Sequence, residues 1–533
     1  MQSVKELYLE EVAKNKIFIQ RIKELECQNN RLTTELEQAK SRIDYLETNM
    51  DLIVKQAVNQ AVKKVSKAYE EKIQKLESQV ASLKSTLNND ANNSSIPTSK
   101  TPIDKDKRIP NTREKSNKKR GGQQGHKKHI LDPFEDEEVT DHVYHEITVC
   151  PNCCEDGTMT SLDSDVIRDE YEIDVTVKRI RHHFIPTQCS NCQTEQTPEI
   201  PQHLTAPNQY GSTVKAIILA LLNQGFVSMN RTSELIAGFT SGVIVPSTGY
   251  IAKVQQRVSE KLVDFEAETK RAVIASDVVL WDDTVIMINK KRSCLRVYVG
   301  EFERVALYKA HERKDKAGVD EDGILLALGP ETKVVHDHNI INYNADYDIT
   351  NCECCRHLIG NFQKVIDILK HEWAQQFKEL LTTANTRRNE QGYLDDEDAA
   401  NIRLQWDELV EAGWKAVEKE REEAYYVKQT KALLRRLEKY KDNYLFWTVY
   451  DDVPFTNNGS ERSLRNSKTK MKVSGQFQNI KSAQAYARIR TYIETGKRHG
   501  MNPVELLALA AQGSPATLDD MHSYFRSLND SEA

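Results

Sequence analysis

Residues 277–311 read DVVLWDDTVIMINKKRSCLRVYVGEFERVALYKAH, and this stretch decides the fold of the largest domain. Three runs rich in β-branched and aromatic residues follow one another with short polar breaks, which predicts three consecutive strands. A helix candidate at 320–328 and a further strand, KVVHD at 333–337, come next. Three strands, a helix and a fourth strand form the opening of an RNase H-like fold.

Acidic residues stand where such a fold can bring them together. Asp282 lies in the first strand, Asp337 ends the fourth, and Glu461 opens a later predicted helix. Carboxylates so placed can hold two divalent cations roughly 3.5–4 Å apart, which activate water or a 3′ hydroxyl and stabilise the leaving oxygen at phosphorus. Oxygen ligands favour Mg²⁺ or Mn²⁺. Adjacent strand residues face opposite sides, so only one of Asp282 and Asp283 belongs to the site, and periodicity does not say which. A single carboxylate is ordinarily solvated, and only the constellation indicates catalysis.

Charge is unevenly distributed along the 533 residues, whose formal net charge is −6 and apolar fraction 39%. Residues 100–129 carry 11 Lys and Arg against 3 Asp and Glu, and residues 462–498 carry 10 against 1. Two basic blocks in an acidic chain predict a polyanionic partner, nucleic acid, although a solvated cationic face is the alternative. The candidate phosphate contacts are Lys118, Lys119, Arg120, Arg462, Arg465, Lys468, Lys470 and Lys472.

The N-terminal region carries a heptad pattern over residues 15–53, which predicts a long helix with an apolar seam. Its two core series are Ile22, Asn29, Leu36, Ile43, Met50 and Leu25, Leu32, Ala39, Leu46, Ile53. A buried Asn29 is best satisfied against its own copy, so the pattern predicts a parallel homodimer. It resumes out of phase at 73–87, which implies a stutter or a hinge. A solitary helix folded onto the globular part is the alternative.

A basic arm and two cysteine pairs follow. Residues 88–120 are too poor in apolar groups to form a core, so we expect a flexible arm. The pairs Cys150-x-x-Cys153 and Cys189-x-x-Cys192 flank an alternating, strand-like stretch. Two such turns can place four thiolates around one Zn²⁺, which predicts a zinc ribbon. Four Cys ligands leave no open position, so this zinc is structural.

Residues 205–272 read as three helices, at 214–222, at 230–239 and after a capping Ser247. This order is consistent with a helix-turn-helix and equally with packing helices. The first residues lack the apolar core of a signal peptide, and no run is long enough to span a bilayer. We therefore expect a cytoplasmic protein, and its ten cysteines favour metal binding over disulfides.

Several further motifs carry a family resemblance. They are NNSSIPTS, GGQQGH, WDDT, VHDH, Cys354-x-x-His357, and NNGSERSLRNSKTKMKVSG followed by YIETGKRHGMNP. With the zipper and the CxxC pairs, they resemble the transposases of the insertion-sequence-66 family, in the DDE group, over nearly the whole length. Family members typically read Asp-Glu-Thr at the first acid, which corresponds to Asp282-Asp283-Thr284 and assigns Asp282. Asp337 and Glu461 match the second and third acids.

The resemblance implies DNA cleavage at the element ends and strand transfer to a target, in a bacterial, nucleoid-associated protein that could use accessory proteins of the same element. A DNA-binding protein without catalysis and a nuclease on the same fold are the alternatives. The presence of all three acids argues against a DNA-binding protein without catalysis. Products in which the cut DNA is joined to a second DNA would exclude the nuclease. The cluster Cys352, Cys354, Cys355 and His357 could bind a metal, although packing in a helical insert is favoured.

The expected architecture is a multidomain α+β protein with a coiled coil, a zinc ribbon, a helical DNA-binding region and an RNase H-like α/β catalytic domain with a large helical insertion. The boundaries are 1–90 for the coiled coil, 91–130 for the flexible basic linker, 131–204 for the ribbon, 205–273 for the helical region, 274–475 for the catalytic domain with its insertion at about 356–450, and 476–533 for the C-terminal helices.

Overall fold

A computed structural model describes residues 4–49, 62–70, 72–73, 76, 131–147, 149–157, 159, 166–201, 203–204, 206–420 and 425–532. Several sequence predictions lie outside these residues, namely the linker at 91–130 with Lys118, Lys119 and Arg120, and the heptad positions Met50 and Ile53.

A long helix, α1 (Val4–Asn49), forms the N-terminal part of the chain, as the heptad pattern predicts. Leu25 and Leu32 of its seam are buried in a small cluster with Leu76. Tyr69, in a second helical stretch, packs against the same cluster. The seam is thus covered in part by residues of its own chain, and the dimer stays a prediction.

The region of the cysteine pairs contains little regular structure. A short antiparallel hairpin, β1 (Thr187–Gln188) and β2 (Glu195–Gln196), brackets the second pair. The prediction of a strand between the pairs is wrong, because residues 166–186 form no strand. Alternation makes a strand only where a neighbouring strand accepts its hydrogen bonds and a core takes its apolar face, and here apolar side chains such as Ile173 stay exposed.

Four helices follow: α2 (Ser212–Asn223), α3 (Met229–Phe239), α4 (Thr248–Lys261) and α5 (Val263–Ile274). Ser247 caps α4 as predicted, since its side chain accepts from the Tyr250 N–H. The predicted third helix is divided at Leu262, which leaves the helical conformation. The connection 240–247 between α3 and α4 is longer than the 3–4-residue turn of a helix-turn-helix, which favours packing helices over that motif.

A five-stranded mixed sheet stands at the centre of the described chain. Its strands are β3 (Val278–Ile288), β4 (Lys291–Gly300), β5 (Val305–His311), β6 (Lys333–His336) and β7 (Thr350–Glu353). Their spatial order is β5-β4-β3-β6-β7; β3, β4 and β5 are antiparallel, while β6 runs parallel to both β3 and β7. Three consecutive strands and a later fourth one are therefore found as the sequence predicts.

The helix between the third and fourth strands lies slightly earlier than predicted. It is α6 (Lys316–Asp322), and a 3₁₀ turn at Leu325–Ala327 follows. Gly323 has a left-handed conformation, with φ of 61°, and so ends the helix inside the predicted 320–328.

The chain between β7 and the third predicted acid is largely helical, as expected for 356–450. Its helices are α7 (Cys355–Leu369), α8 (Glu372–Gln391), α9 (Asp396–Val417), α10 (Tyr425–Lys439) and α11 (Lys441–Leu445). Their apolar faces and one face of the sheet share a single core, in which Trp406 and Trp447 are buried. The next helix, α12 (Asn458–Ser474), packs on β3.

Three helices end the chain: α13 (Ile480–Arg498), α14 (Pro503–Gln512) and α15 (Leu518–Glu532). They share a second core with α2, α3 and α4. Helix α13 also covers the outer edge of the sheet, because Thr491 and Thr495 accept hydrogen bonds from backbone N–H groups of β5. Within the described residues, every helix is too short or too polar to cross a membrane.

Candidate active site

The two adjacent aspartates of β3 face opposite sides of the sheet. Asp282 shares the face of Leu280, because side chains alternate along a strand. That face meets α12: a Cβ built on Gly459 would lie 3.0 Å from Leu280 Cδ2. Asp283 points the other way and accepts a hydrogen bond from Lys314 Nζ at 2.6 Å. The structure thus places Asp282 on the α12 side of the sheet and Asp283 on the opposite side.

The second acid lies beside the first. Strand β6 pairs with β3 in parallel, with Val335 opposite Leu280, so Asp337 follows β6 next to Asp282. Burial raises the pKa of Asp282 to about 7, and repulsion by the Asp337 carboxylate adds to the effect. A pair of carboxylates that resists full ionisation when alone is a pair that a divalent cation would stabilise.

The third predicted acid, Glu461, lies in the first turn of α12, whose start packs on β3. Asn457 donates a hydrogen bond from Nδ2 to the Trp281 carbonyl at 2.7 Å, which attaches the helix start to β3. Gly459 allows the close approach, since a Cβ there would lie only 3.0 Å from Leu280 Cδ2 of β3. Glu461 follows in the first turn, and its N–H donates to the Asn457 carbonyl.

The three carboxylates do not surround a single point. Among the described residues, only one group of three or more His, Cys, Asp and Glu side chains has its ligand atoms within 4.8 Å of one another, and it consists of Cys354, His357 and Glu461. A two-ion site does not require all three acids on one ion, because its ions lie roughly 3.5–4 Å apart. The all-oxygen donor set of Asp282, Asp337 and Glu461 fits Mg²⁺ or Mn²⁺.

Three hydrogen-bonded side chains support the loop after Asp337, and the sequence did not predict this contact. Glu353, at the end of β7, contacts His338 Nδ1 at 2.6 Å and accepts from the Tyr343 hydroxyl at 2.5 Å. Burial alone would raise the pKa of Glu353, but the hydrogen bonds from His338 and Tyr343 bring it below its ordinary value. The parallel register of β6 and β7 brings these residues together, and no sequence motif encodes that register.

The basic residues that follow Glu461 divide between solvent and core. Arg462, Arg465 and Lys468 are exposed along α12. Lys470 is buried, and its Nζ lies 5.2 Å from the centre of the Tyr486 ring. The prediction that Lys470 contacts DNA is therefore wrong, because its helix face turns into the core. The last predicted contact, Lys472, is partly buried.

The two cysteine pairs lie in turns of the same form. The Cys150 N–H donates to the Glu155 carbonyl at 3.1 Å. The Cys189 N–H donates in the same way to the Thr194 carbonyl at 2.9 Å. Each turn directs two thiols to one side, which is the geometry of half a tetrahedral zinc site.

Local hydrogen bonds favour the thiolate form in both turns. The backbone N–H of Cys153 lowers the pKa of Cys150, and a hydrogen bond with the Thr194 hydroxyl lowers the pKa of Cys192 to about 7. The structure does not bring the two pairs to a common point, since no three of their sulfur atoms belong to a group within 4.8 Å. The four-cysteine zinc site therefore stays a prediction.

The three cysteines Cys352, Cys354 and Cys355 differ in their surroundings. Cys352 and Cys355 are buried in the main core, and Cys355 Sγ lies 3.4 Å from the Tyr444 carbonyl, so packing accounts for both. Cys354 is also buried, but its sulfur belongs to the group with His357 and Glu461. The sequence placed Cys354 and His357 in a metal-capable motif without indicating the third member.

Paired aspartates on a mixed sheet, a third acid on a packed helix and exposed cations beside it are the features expected of an enzyme that processes nucleic acid. The family model described as "Transposase IS66 family" matches residues 208–485, more than half of the chain. The protein belongs to this transposase family, as its sequence motifs predict. No curated protein matches the chain.

Proposed function

We propose that the protein is a DDE transposase that cleaves DNA at the ends of an insertion sequence and joins those ends to target DNA. Asp282, Asp337 and Glu461 are its catalytic acids, with two Mg²⁺ or Mn²⁺ ions. The observation that carries the proposal is the adjacent pair of carboxylates on β3 and β6 beneath α12, in a chain of this family.

The topology of the sheet supports the same proposal. Three antiparallel strands, a helix, and two further strands parallel to the first are the arrangement expected of an RNase H-like domain, with β3 at its centre. In such a sheet the catalytic acids sit on the central strand, on its parallel neighbour and on a later helix. The helices between β7 and α12 are then the insertion in this domain.

When bound, the two ions would activate the attacking water or 3′ hydroxyl and stabilise the leaving oxygen. The chain's own residues prepare that site. Asn457 and Gly459 hold the start of α12 against β3, so Glu461 is positioned by packing rather than by a loop. Arg462, Arg465 and Lys468 extend from the same helix and would bind phosphates on either side of the reacting bond.

Two further features belong to the proposal. Cys150, Cys153, Cys189 and Cys192 hold a structural Zn²⁺, which draws together the two matching turns. The N-terminal helix forms a homodimer, which is supported by Asn29 Oδ1, a buried atom with no hydrogen-bond partner in the described part of the chain. We place the protein in the cytoplasm, at the nucleoid, where its DNA substrates are.

The test uses purified protein, Mg²⁺, a labelled duplex from the end of the element and a circular target plasmid. We expect labelled strands that are covalently joined to the plasmid. Cleaved ends that never become joined would favour a nuclease on the same fold. Binding without cleavage would favour the DNA-binding protein that lacks catalysis.

A further inference from the structure

We propose that Cys354, His357 and Glu461 form a site for a soft divalent cation such as Zn²⁺, and that zinc bound there inhibits the enzyme by withdrawing Glu461 from the catalytic ions. Binding of zinc follows from the three side chains alone. The inhibition rests on the function proposed above, because it requires Glu461 to be a catalytic acid.

The ligand atoms lie close enough together to bind one ion after small shifts of the side chains. All three are within 4.8 Å of one another, and His357 Nδ1 is 3.8 Å from Glu461 Oε1. Two ligands at bond lengths of about 2.0–2.3 Å from a tetrahedral zinc lie roughly 3.3–3.8 Å apart. The imidazole and the carboxylate are too far apart for a hydrogen bond, so no hydrogen bond between them explains their closeness.

One atom of the group lacks a hydrogen-bond partner. Glu461 Oε1 is buried and accepts no hydrogen bond among the described residues. An unsatisfied buried carboxylate oxygen is costly, by roughly 1–3 kcal/mol or more, and a bound cation would satisfy it. The atom lies 3.8 Å from His357 Nδ1, and the ion would bind between the two.

The surroundings hold the sulfur ligand in position. Cys354 directly precedes α7, and its sulfur accepts a hydrogen bond from the Asn457 N–H at 3.2 Å. Asn457 is the residue that attaches α12 to β3. The thiol on α7 and the carboxylate on α12 are therefore fixed relative to each other by the same contact.

The donor set distinguishes this site from the catalytic one. A thiolate and an imidazole favour zinc over magnesium, whereas Asp282 and Asp337 offer only oxygen. The side chain of His357 is 49% exposed, so zinc can reach the site from solvent. Glu461 is common to both sites, and zinc on Oε1 would compete with the catalytic ions for this one carboxylate.

The first experiment counts zinc in the full-length protein after equilibrium dialysis against zinc with excess Mg²⁺. We compare the wild type with His357→Gln, Cys354→Ala and the control Cys352→Ala, which removes a neighbouring buried thiol outside the group. Wild type and Cys352→Ala should each hold one zinc per chain more than the other two variants. Equal zinc in all four proteins would overturn the site, and His357→Gln keeps the test valid if Cys354→Ala fails to fold, since His357 is half-exposed.

The second experiment titrates zinc into the Mg²⁺-dependent cleavage assay, with each protein compared with its own zinc-free rate. Half-inhibition of His357→Gln should require at least about tenfold more zinc than that of the wild type, given that even outer-shell changes cost about 10–100-fold in affinity. Equal inhibition of both proteins, or inhibition of neither, would overturn the inhibitory role of zinc. Whether the zinc site exists is decided separately by the zinc count of the first experiment. Absence of cleavage without zinc would count against the proposed function alone.

Discussion

Replacing Asp282 by Asn is expected to make the metal-free protein more stable at alkaline pH while it abolishes cleavage. Burial and the neighbouring Asp337 raise the pKa of Asp282 from 3.8 to about 7. An acid whose pKa is higher in the folded than in the unfolded state destabilises the fold once it is ionised. At 1.36 kcal/mol per pKa unit the penalty is roughly 4 kcal/mol, fully present above about pH 7 and absent below about pH 4.

The assay is urea unfolding of the full-length protein at about pH 5.5 and about pH 8.5, without Mg²⁺ and without chelator. Because the penalty is only partly developed at the lower pH, the advantage of Asp282→Asn should grow by roughly 2 kcal/mol between the two conditions. Mg²⁺ should reduce this advantage, since the ion stabilises only the protein with the full set of carboxylates.

The matched control is Asp283→Asn, one residue along the strand. The Asp283 carboxylate is paired with Lys314 at 2.6 Å, so its loss removes a stabilising contact and should give no gain at either pH. An advantage of Asp282→Asn that is independent of pH, or that shrinks as pH rises, would refute the reasoning about the paired aspartates.

Three further outcomes are expected elsewhere in the chain. Cys150→Ser should release the proposed zinc and increase proteolysis within 140–200 of the full-length protein while residues 1–90 stay protected; metal analysis that finds no zinc in the wild type would contradict this. Asn29→Leu should raise the melting temperature of an isolated 1–90 segment but broaden its oligomeric state in sedimentation, whereas a wild-type segment that stays monomeric at high concentration would exclude the dimer. Arg296→Ala should lower the free energy of unfolding by about 3–5 kcal/mol, because it leaves the buried Asp322 without its cation. The two side chains lie 2.9 Å apart. A loss below about 1 kcal/mol would show that this pair is not desolvated as the structure indicates.

The strands of the sheet could be predicted from the sequence because their apolar runs are long and separated by polar breaks. The face of each aspartate could not, since alternation gives Asp282 and Asp283 equal claims until α12 is known to pack on the Leu280 side. The contact between His338 and Glu353 could not be predicted from the sequence either. It depends on the register of two parallel strands, which local sequence does not encode.

The charge of a sequence block does not say which of its basic residues are exposed. A basic block predicts DNA contact as a whole, but it does not say which of its members turn inward. Lys470 lies over an aromatic ring, and Arg490 is fully buried with its guanidinium bound to the Asn223 carbonyl. Both belong to helices that have a buried face, so only the tertiary packing separates the structural cations from those available to phosphate.

The most direct test of the central claim compares cleavage and binding for the three amide variants Asp282→Asn, Asp337→Asn and Glu461→Gln. Each substitution nearly keeps the shape of the side chain but removes a charge that would neutralise the metal ions. Cleavage of a labelled element end in Mg²⁺ should fall by roughly a hundredfold or more in each variant, while a gel shift on the same DNA should show binding that is retained or slightly tighter. Asp283→Asn should keep most of its activity. If Asp283→Asn is inactive and Asp282→Asn is active, the first acid is wrongly assigned by one residue, and if all three amide variants still cleave, the catalytic mechanism proposed for this family member is wrong.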